Sequence, residues 1–295
     1  MDYFFGLLIN GVLVGAVYSM VAMGFVLIYK ASKVLNFAQG EFLMIGAYFC
    51  LELVIRLEVG IIPAFLLSLV LMSVMAVLIE RLILRKMMNA PVISIVMVTI
   101  GLGIMLRSIV LMFWGPITIH FPAFIDDVPF DLGFVRVSEI YIYGFLLCIS
   151  FMAIFGLFFK YTRTGMVMRA AASSHVAARS VGVPLHYVFA LAWVVAAIVS
   201  TAGGVITGNI AGLTPDLSEY GVRVFPAVIL GGLDSIVGTT IAGVLIGIME
   251  EFGGGYLRDM TGLSGLGPVV PFFVLIIVLW IRPHGLMGTK EIERL

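Results

Sequence analysis

Long runs of this chain are apolar on all sides, without the period-two alternation that the strands of a membrane β-barrel show. A run of about 20 apolar residues is long enough to cross the ~30 Å hydrocarbon core of a bilayer as a helix. Such runs recur along the sequence and predict an all-α, polytopic membrane protein, with a single transmembrane domain over 1–295 and about eight to nine transmembrane helices. The predicted spans are 5–29, 38–55, 61–80, 92–114, 140–159, 185–209, 223–233, 236–252 and 267–281.

One of these stretches, 223–233, is too short to cross a bilayer at 1.5 Å per residue. Its sequence, VRVFPAVILGG, is interrupted further by Pro226 and by the Gly231-Gly232 pair. Irregular backbone is tolerated at membrane depth where it faces protein or water. The stretch is therefore predicted to be a broken helix or half-helix.

Composition agrees with a membrane protein, because 62% of the residues are hydrophobic, 12% are charged and the mean hydropathy is +1.17. A soluble domain is typically about 45–50% apolar and about 25% charged. The net charge is zero, so nothing points to a nucleic-acid partner. Cys50 and Cys148 lie inside apolar runs without the spacing of metal ligands, and no metal site is predicted. The GxxxxGK[ST], HExxH and GxSxG motifs are absent, so we expect neither enzymatic activity nor a cofactor in this chain.

The basic residues divide unequally between the two ends of the predicted spans. With the N-terminus outside and nine passes, twelve of the 17 lysines and arginines collect on one face. Four lie on the other face, and Arg107 lies inside a span. Cytoplasmic loops carry the excess of Lys and Arg in membrane proteins. The C-terminus is therefore predicted to be cytoplasmic and the N-terminus to be outside.

Four polar residues in or near the spans are candidates for a substrate pathway. Asn36, Gln39 and Glu41 fall within six positions at the start of the second span, predicted close to the cytoplasmic side. They either cap this helix, with Asn36 as N-cap and Gln39 at N3, or line a water-filled vestibule. Arg107 either has a buried partner or belongs to the pathway, since a charge in a span is rarely left unpaired.

The longest predicted cytoplasmic loop, at about 160–184, contains a short basic helix from Gly165 to about Val181. Gly182 is predicted to stop this helix and Pro184 to start the next span. The helix either docks into a groove of a soluble partner or rests on anionic lipid through its arginines.

Three segments carry a resemblance to a known family. They are Asn36-Phe37, Gly40 and Gly46-Ala47-Tyr48; then Arg169-Ala170-Ala171, Ala178 and Gly182; and finally AVILGGLDSIVGTTIAGVLIG, residues 227–247. In their sequence and order they resemble the inner-membrane permeases of high-affinity branched-chain amino acid ABC importers. The resemblance covers nearly the whole chain. In that family acidic residues often follow Arg-Ala, where this chain has Ser173-Ser174.

The resemblance implies a permease subunit of a binding-protein-dependent importer in the bacterial inner membrane. Its solute would be a branched-chain or other amino acid, or a related small polar solute such as an amide, urea or a small organic acid. The implied partners are cytoplasmic ATPase subunits that bind ATP, a second homologous or identical permease subunit, a periplasmic solute-binding protein and membrane lipid. The loop helix would couple to the ATPase through Arg163, Arg169, Ala170, Ala171, Ala178 and Gly182.

Two other functions remain open from the residues alone. An ion-coupled secondary transporter or channel would need carboxylates at mid-membrane beside broken helices. The acidic residues here are predicted mostly at span ends. One of them, Glu250, either contacts the binding protein or is a solvated helix end. A structural or assembly protein is the second. The glycine pairs Gly11-x(3)-Gly15 and Gly243-x(3)-Gly247 predict close helix packing in either case.

Overall fold

The structure is a computed structural model that describes residues 2–87, 90–122, 130–131, 136–137, 139–173, 178, 180, 182–262, 265–282 and 285–288. The helices are α1 (Asp2–Ser32), α2 (Gln39–Leu57), α3 (Ile61–Leu82), α4 (Val92–Trp114), α5 (Glu139–Tyr161), α6 (Arg163–Ser173), α7 (Leu185–Ala211), α8 (Tyr220–Arg223), α9 (Phe225–Gly231), α10 (Ile236–Phe252), α11 (Arg258–Thr261) and α12 (Val270–Ile281). Short 3-10 helices lie at Leu84–Met87, Pro215–Glu219 and Gly267–Val269, and a π-helix at Gly253–Leu257 continues α10. Two two-residue strands, β1 (Phe130–Asp131) and β2 (Arg136–Val137), pair antiparallel.

The predicted all-α membrane architecture is confirmed. Within the described residues, six helical segments are long and apolar enough to cross a bilayer: Tyr3–Ser32, Ile61–Met87, Val92–Trp114, Ile142–Tyr161, Leu185–Ala211 and Ile236–Thr261. The apolar helix at Gly267–Ile281 is shorter. α2 has 19 residues but carries Glu41, Glu52 and Arg56, which lowers its apolar character.

The first helix, α1, is the centre of the bundle, and its residues from Ala16 to Ile28 are almost all buried. It packs against α10 through the glycine pairs that the sequence singles out. A Cβ at Gly15 would lie 2.6 Å from the Cα of Val244, and a Cβ at Gly11 would lie 2.6 Å from the Cα of Ile248. Ser19 Oγ adds a hydrogen bond of 2.7 Å to the carbonyl of Thr240. Small residues therefore bring the two backbones into contact, as the pattern predicts.

The predicted broken helix is also confirmed. After α7 the chain forms the 3-10 helix Pro215–Glu219 and the short helices α8 and α9, which together replace one continuous span. This broken segment reaches into the bundle, since the carbonyl of Ser218 lies against Gly40 at the start of α2. Phe225 at the start of α9 packs on the rings of Phe25 and Phe37.

The second span begins much deeper than the sequence predicts. Residues 33–38 are not helical; they fold back from the end of α1, and Gln39 at the start of α2 lies beside Gly24, well inside α1. The amide of Gln39 reaches Ala196 and Ser200, which are near the midpoint of α7. Gln39 and Glu41 therefore lie deeper in the bundle than a helix start at a membrane surface would, while the cytoplasmic side assigned to these residues stays a prediction. Gln39 lies beside the middle of α7 and Glu41 beside the middle of α4, because the unwound segment, which contains Asn36, returns the chain into the bundle before α2 begins.

We expect the glycine contact between α1 and α10 to govern stability. Gly15→Ala places a methyl group against the Val244 backbone, and overpacking of this kind costs about 1–3 kcal/mol. Gly156→Ala in α5 is the matched control, because no atom lies within 4 Å of its Cβ position. There the gain in helix propensity is worth about 0.5–1 kcal/mol. Thermal unfolding of the two variants in detergent should shift the midpoint in opposite directions, and equal shifts would contradict the packing.

Candidate functional site

The unwound residues before α2 are held by a hydrogen-bond network. The amide Nε2 of Gln39 donates to Ser200 Oγ at 2.6 Å and to the carbonyl of Ala196 at 3.3 Å. Asn36 Nδ2 donates to Gln39 Oε1 at 3.2 Å, and the Phe37 N–H donates to Thr99 Oγ1 at 3.3 Å. Asn36 and Gln39 are fully buried, so their side chains satisfy one another and the backbone where water is excluded.

The predicted capping arrangement differs from the structure. α2 begins at Gln39 with Ala38 as its N-cap, and no side chain caps the helix. Asn36 Oδ1 instead accepts a hydrogen bond of 3.0 Å from the N–H of Ala38 and so closes the turn ahead of the helix. The prediction of Asn36 as N-cap is wrong by two residues, because an asparagine side chain can also bond the backbone two residues on.

Charged side chains lie beside this interruption, on α2, α4 and the broken segment. Arg107 Nη2 is 2.6 Å from Asp216 Oδ1, so the arginine has an acidic partner, although not the buried partner that is one of the two predicted alternatives. The pair is open, however, with 38% of the Arg107 side chain and 70% of the Asp216 side chain exposed. Glu41 lies close by, with its carboxyl group packed against Gly103 of α4. A charge in a span costs at least ~2.5 kcal/mol if it faces lipid, so this face is expected to meet water or protein.

A second charged network fixes the broken segment on the side of the α1 N-terminus. Tyr18 donates to Glu250 Oε2 at 2.7 Å, and Arg223 Nη1 lies 3.9 Å from Glu250 Oε1. The Arg223 guanidinium also lies over the ring of Tyr220. Glu250 is 8% exposed, so its interpretation as a solvated helix end is wrong. Its partner Tyr18 lies 232 positions away, and no local pattern links the two residues.

On the opposite side of the interruption, towards the C-terminus of α1, lies a cavity of about 110 Å³. Asn36 and Trp193 line it, together with Glu80 and Arg85. Arg85 bonds both oxygens of the buried Glu80 carboxylate, at 2.9 and 3.2 Å. Polar groups thus continue beyond Asn36, which the sequence analysis does not anticipate.

The basic loop helix is present as α6, and its contacts divide the predicted coupling residues into two sets. Thr162 Oγ1 accepts from the Gly165 N–H at 3.0 Å and caps the helix directly after α5 ends. Gly165, Met168 and Ala171 are buried against the chain, and so is Ala178. The exposed side carries Arg163, Met166, Arg169 and Ala170.

Between α6 and α7 the structure describes residues 178, 180 and 182–184, while residues 174–177, 179 and 181 lie outside the described residues. Gly182 has a φ of +80°, the left-handed conformation expected of a glycine that ends a helix. The N–H of Val183 bonds the carbonyl of Ala178 at 3.0 Å, as in a Schellman motif. Pro184 is the N-cap of α7, one residue before the predicted position.

Comparison with known proteins identifies relatives along nearly the full length. The family model described as branched-chain amino acid transport system / permease component matches residues 7–279. The high-affinity branched-chain amino acid transport system permease protein LivH of Escherichia coli is 29% identical, over 99% of this chain and 98% of its own. The corresponding protein BraD of Pseudomonas aeruginosa is 28% identical, over 97% and 96%. A probable branched-chain amino acid transport permease protein LivH of Methanocaldococcus jannaschii is 28% identical, over 94% and 90%.

A solved structure has a similar fold. A chain of PsaBC from Streptococcus pneumoniae in complex with Fab aligns with a TM-score of 0.52 at 14% identity, covering 96% of this chain and 93% of that one. At this identity the likeness concerns the fold alone.

The two sides of α6 predict different chemical reactivity. Ala170→Cys should react with a maleimide in detergent solution at least about tenfold faster than Ala171→Cys, since residue 170 is exposed and residue 171 is buried. The native thiols of Cys50 and Cys148 are fully buried and give a low background. Mass spectrometry of the labelled protein measures the rates, and equal labelling of the two neighbours would contradict the orientation of the helix.

Proposed function

The chain belongs to the family of branched-chain amino acid transport system permease components, and from this premise we propose how it conducts its solute and which proteins drive it. As a member of the family it is a transmembrane permease subunit. The observation that carries the proposal is the polar cluster at the middle of the spans, where Asn36 and Gln39 bridge an unwound segment beside Glu41 and Arg107. A purely structural bundle has no need of open charges at that depth.

Asn36, Gln39, Glu41 and Arg107 form the substrate pathway in this proposal. The open face with Arg107 and Asp216 lines one part of the pathway. The cavity lined by Asn36, Glu80 and Arg85 continues the pathway towards the C-terminal end of α1. The solute is a branched-chain amino acid or a chemically related small polar molecule, by analogy with the names of the relatives.

We place the ATPase contact on the exposed side of α6. Arg163, Arg169 and Ala170 are open to a partner, and the buried residues Ala171 and Ala178 transmit movement of the helix into the bundle. The helix is short and basic and directly follows the long helix α5, so a push on it moves that span. The ATP is bound and hydrolysed in separate ATPase subunits.

Further partners complete the proposed assembly. A second permease subunit, homologous or identical, covers the open Arg107 and Asp216 face, and a periplasmic solute-binding protein delivers the solute. The multi-pass chain lies in the inner membrane with its N-terminus outside. The basic residues support this orientation, because Lys30 lies near the basic helix α6 at the end of the bundle opposite to Tyr3 and Tyr256.

One observation is shared with ion-coupled secondary transporters, which place carboxylates at mid-membrane beside broken helices. Glu41 and the broken segment Pro215–Gly231 share features with that description, although the acidic residues are predicted mostly at span ends and Glu41 is itself in the first turn of α2. The requirement for ATPase subunits separates the two mechanisms. Uphill uptake by the purified chain alone in liposomes would favour ion coupling.

Arg169→Glu should uncouple the assembled importer. We expect uptake in proteoliposomes to fall at least about tenfold, because the exposed Arg169 is replaced by a group of opposite charge at the proposed ATPase contact. The melting temperature of the permease should change little, because Arg169 is exposed and its hydrogen bond to the Lys160 carbonyl is long, at 3.4 Å. Radiolabelled leucine uptake and ATP hydrolysis are measured together.

Arg282→Glu is the control for this experiment. Arg282 ends α12, is exposed and lies on the same predicted membrane side, but outside α6. It should retain uptake within about twofold, as expected for an exposed charge without a specific contact. Equal loss of uptake in both variants would contradict a specific role for α6.

A further inference from the structure

Glu41 differs from three other carboxylates of the described helices, each of which has a side-chain partner for its oxygens. Glu52 pairs with Arg56 and accepts from Trp114 Nε1 at 2.6 Å. Glu80 pairs with Arg85, and Glu250 accepts from Tyr18. Glu41 Oε2 is buried and has no hydrogen-bond partner among the residues that the structure describes. The carboxyl group accepts from its own backbone N–H, so Oε2 alone is left without a donor. A buried oxygen in this state is unfavourable, and the site is complete only when a donor or a cation reaches Oε2.

The nearest cation does not fill this role. Arg107 lies one turn beyond Gly103, on which the Glu41 carboxyl group packs. Its guanidinium is directed to Asp216 at 2.6 Å, and no ion pair joins it to Glu41 within the described part of the chain. Arg107 therefore acts on Glu41 through space without contacting it, and the position beside Glu41 Oε2 has no donor in contact within the described structure. The charge of Arg107 itself is still partly exposed.

A second polar group faces the same region. Tyr48 lies seven residues after Glu41 and thus on the same side of α2. Its hydroxyl is buried and also lacks a hydrogen-bond partner in the described structure, although its ring packs on Trp114. Glu41 Oε2 and the Tyr48 hydroxyl are thus two buried oxygens without hydrogen-bond partners in the described structure, two turns apart on α2. Arg107 acts electrostatically on the first and Asp216 on the second, so both lie near this exposed ion pair.

We propose that Glu41 binds the ammonium group of a zwitterionic amino acid, and that Arg107 supplies the positive charge that faces the carboxylate of the same amino acid. A primary ammonium carries three donors and one positive charge, which together satisfy an unpaired carboxylate at low dielectric. The inference rests on the proposed permease function and names the chemistry of its substrate. It favours zwitterionic amino acids over urea, amides and organic acids, which offer no cation to Glu41.

The test uses the complete importer, assembled from this chain, its ATPase subunits, the second permease subunit and a binding protein loaded with L-leucine. Glu41→Gln keeps the shape of the side chain and removes its charge. We expect the maximal rate of leucine uptake in proteoliposomes to fall about tenfold or more. The half-saturating concentration of loaded binding protein should not change, because delivery takes place at the outer surface. Glu41→Asp, which keeps the charge, should retain more uptake than Glu41→Gln.

Glu52→Gln is the matched control, since it makes the same change on the same helix at a carboxylate that already has partners. It should retain uptake within about twofold. The melting temperature of Glu41→Gln should be equal to that of the unmodified chain or higher, because an unpaired buried charge is removed.

The possible outcomes distinguish a failure of the Glu41 subsite from a failure of the proposed transport function. Wild-type uptake by Glu41→Gln overturns the subsite, and so does a loss of uptake that is accompanied by a lower melting temperature. If the unmodified assembly hydrolyses ATP but takes up no leucine, the proposed function itself fails, whatever Glu41 does. Loss of uptake at constant stability, with Glu52→Gln active, supports the subsite.

Discussion

The hydrogen bonds of Gln39 to Ser200 and Ala196 are the interaction on which the site depends. Within a bilayer, each unsatisfied backbone polar group costs several kcal/mol, so a chain can leave the helix only where side chains or other backbone replace the lost bonds. Residues 33–38 do so at the middle of the bundle. Gln39, Asn36 and Thr99 supply the replacement, and they fix the point at which α2 begins. Glu41 is at mid-span because this network places it there.

Close packing of small residues makes room for the interruption. Gly24 of α1 leaves space for the Gln39 amide, and Gly40 lies against the Ser218 carbonyl of the broken segment. Two irregular stretches thus meet in the protein interior, where each is covered by the other. The contact of α1 with α10 through Gly15 and Gly247 stabilises both irregular stretches, because it holds the central helix α1 rigidly. In the proposed mechanism, rigid helices around two irregular segments allow the subunit to open alternately to the two sides, because few backbone hydrogen bonds need to change.

The sequence predicts the location of a membrane span well where its length and apolar character alone determine it. The predicted 92–114 and 236–252 coincide with α4 and α10, and the broken segment is identified from Pro226 and the glycines that follow it. The transfer free energy of a long apolar run into lipid is a local property, so one sequence suffices to find it. The stop at Gly182 is predicted for a similar reason, since a left-handed residue is a local requirement.

The depth of a polar residue in the bundle and the partner of its side chain could not be predicted, because both depend on residues far apart in the chain. Gln39 finds Ser200 161 positions away, and Arg107 finds Asp216 109 positions away. Without these contacts the polar group at 36–41 looks like an ordinary helix start near the membrane surface. The exposed side of α6 could not be predicted either. The sequence indicates a basic helix, but only the burial of Ala171 and Ala178 shows which of its sides faces away from the bundle.

A double-mutant cycle between Gln39→Leu and Ser200→Ala tests the central claim most directly. Both variants and their combination are compared by unfolding in detergent and by uptake in the assembled importer. If the Gln39–Ser200 hydrogen bond holds the unwound segment in place, the effects of the two substitutions on the free energy of unfolding should deviate from additivity by about 1 kcal/mol or more, and each substitution should reduce uptake. Additive effects on stability, within about 0.3 kcal/mol, together with undiminished uptake would contradict the account.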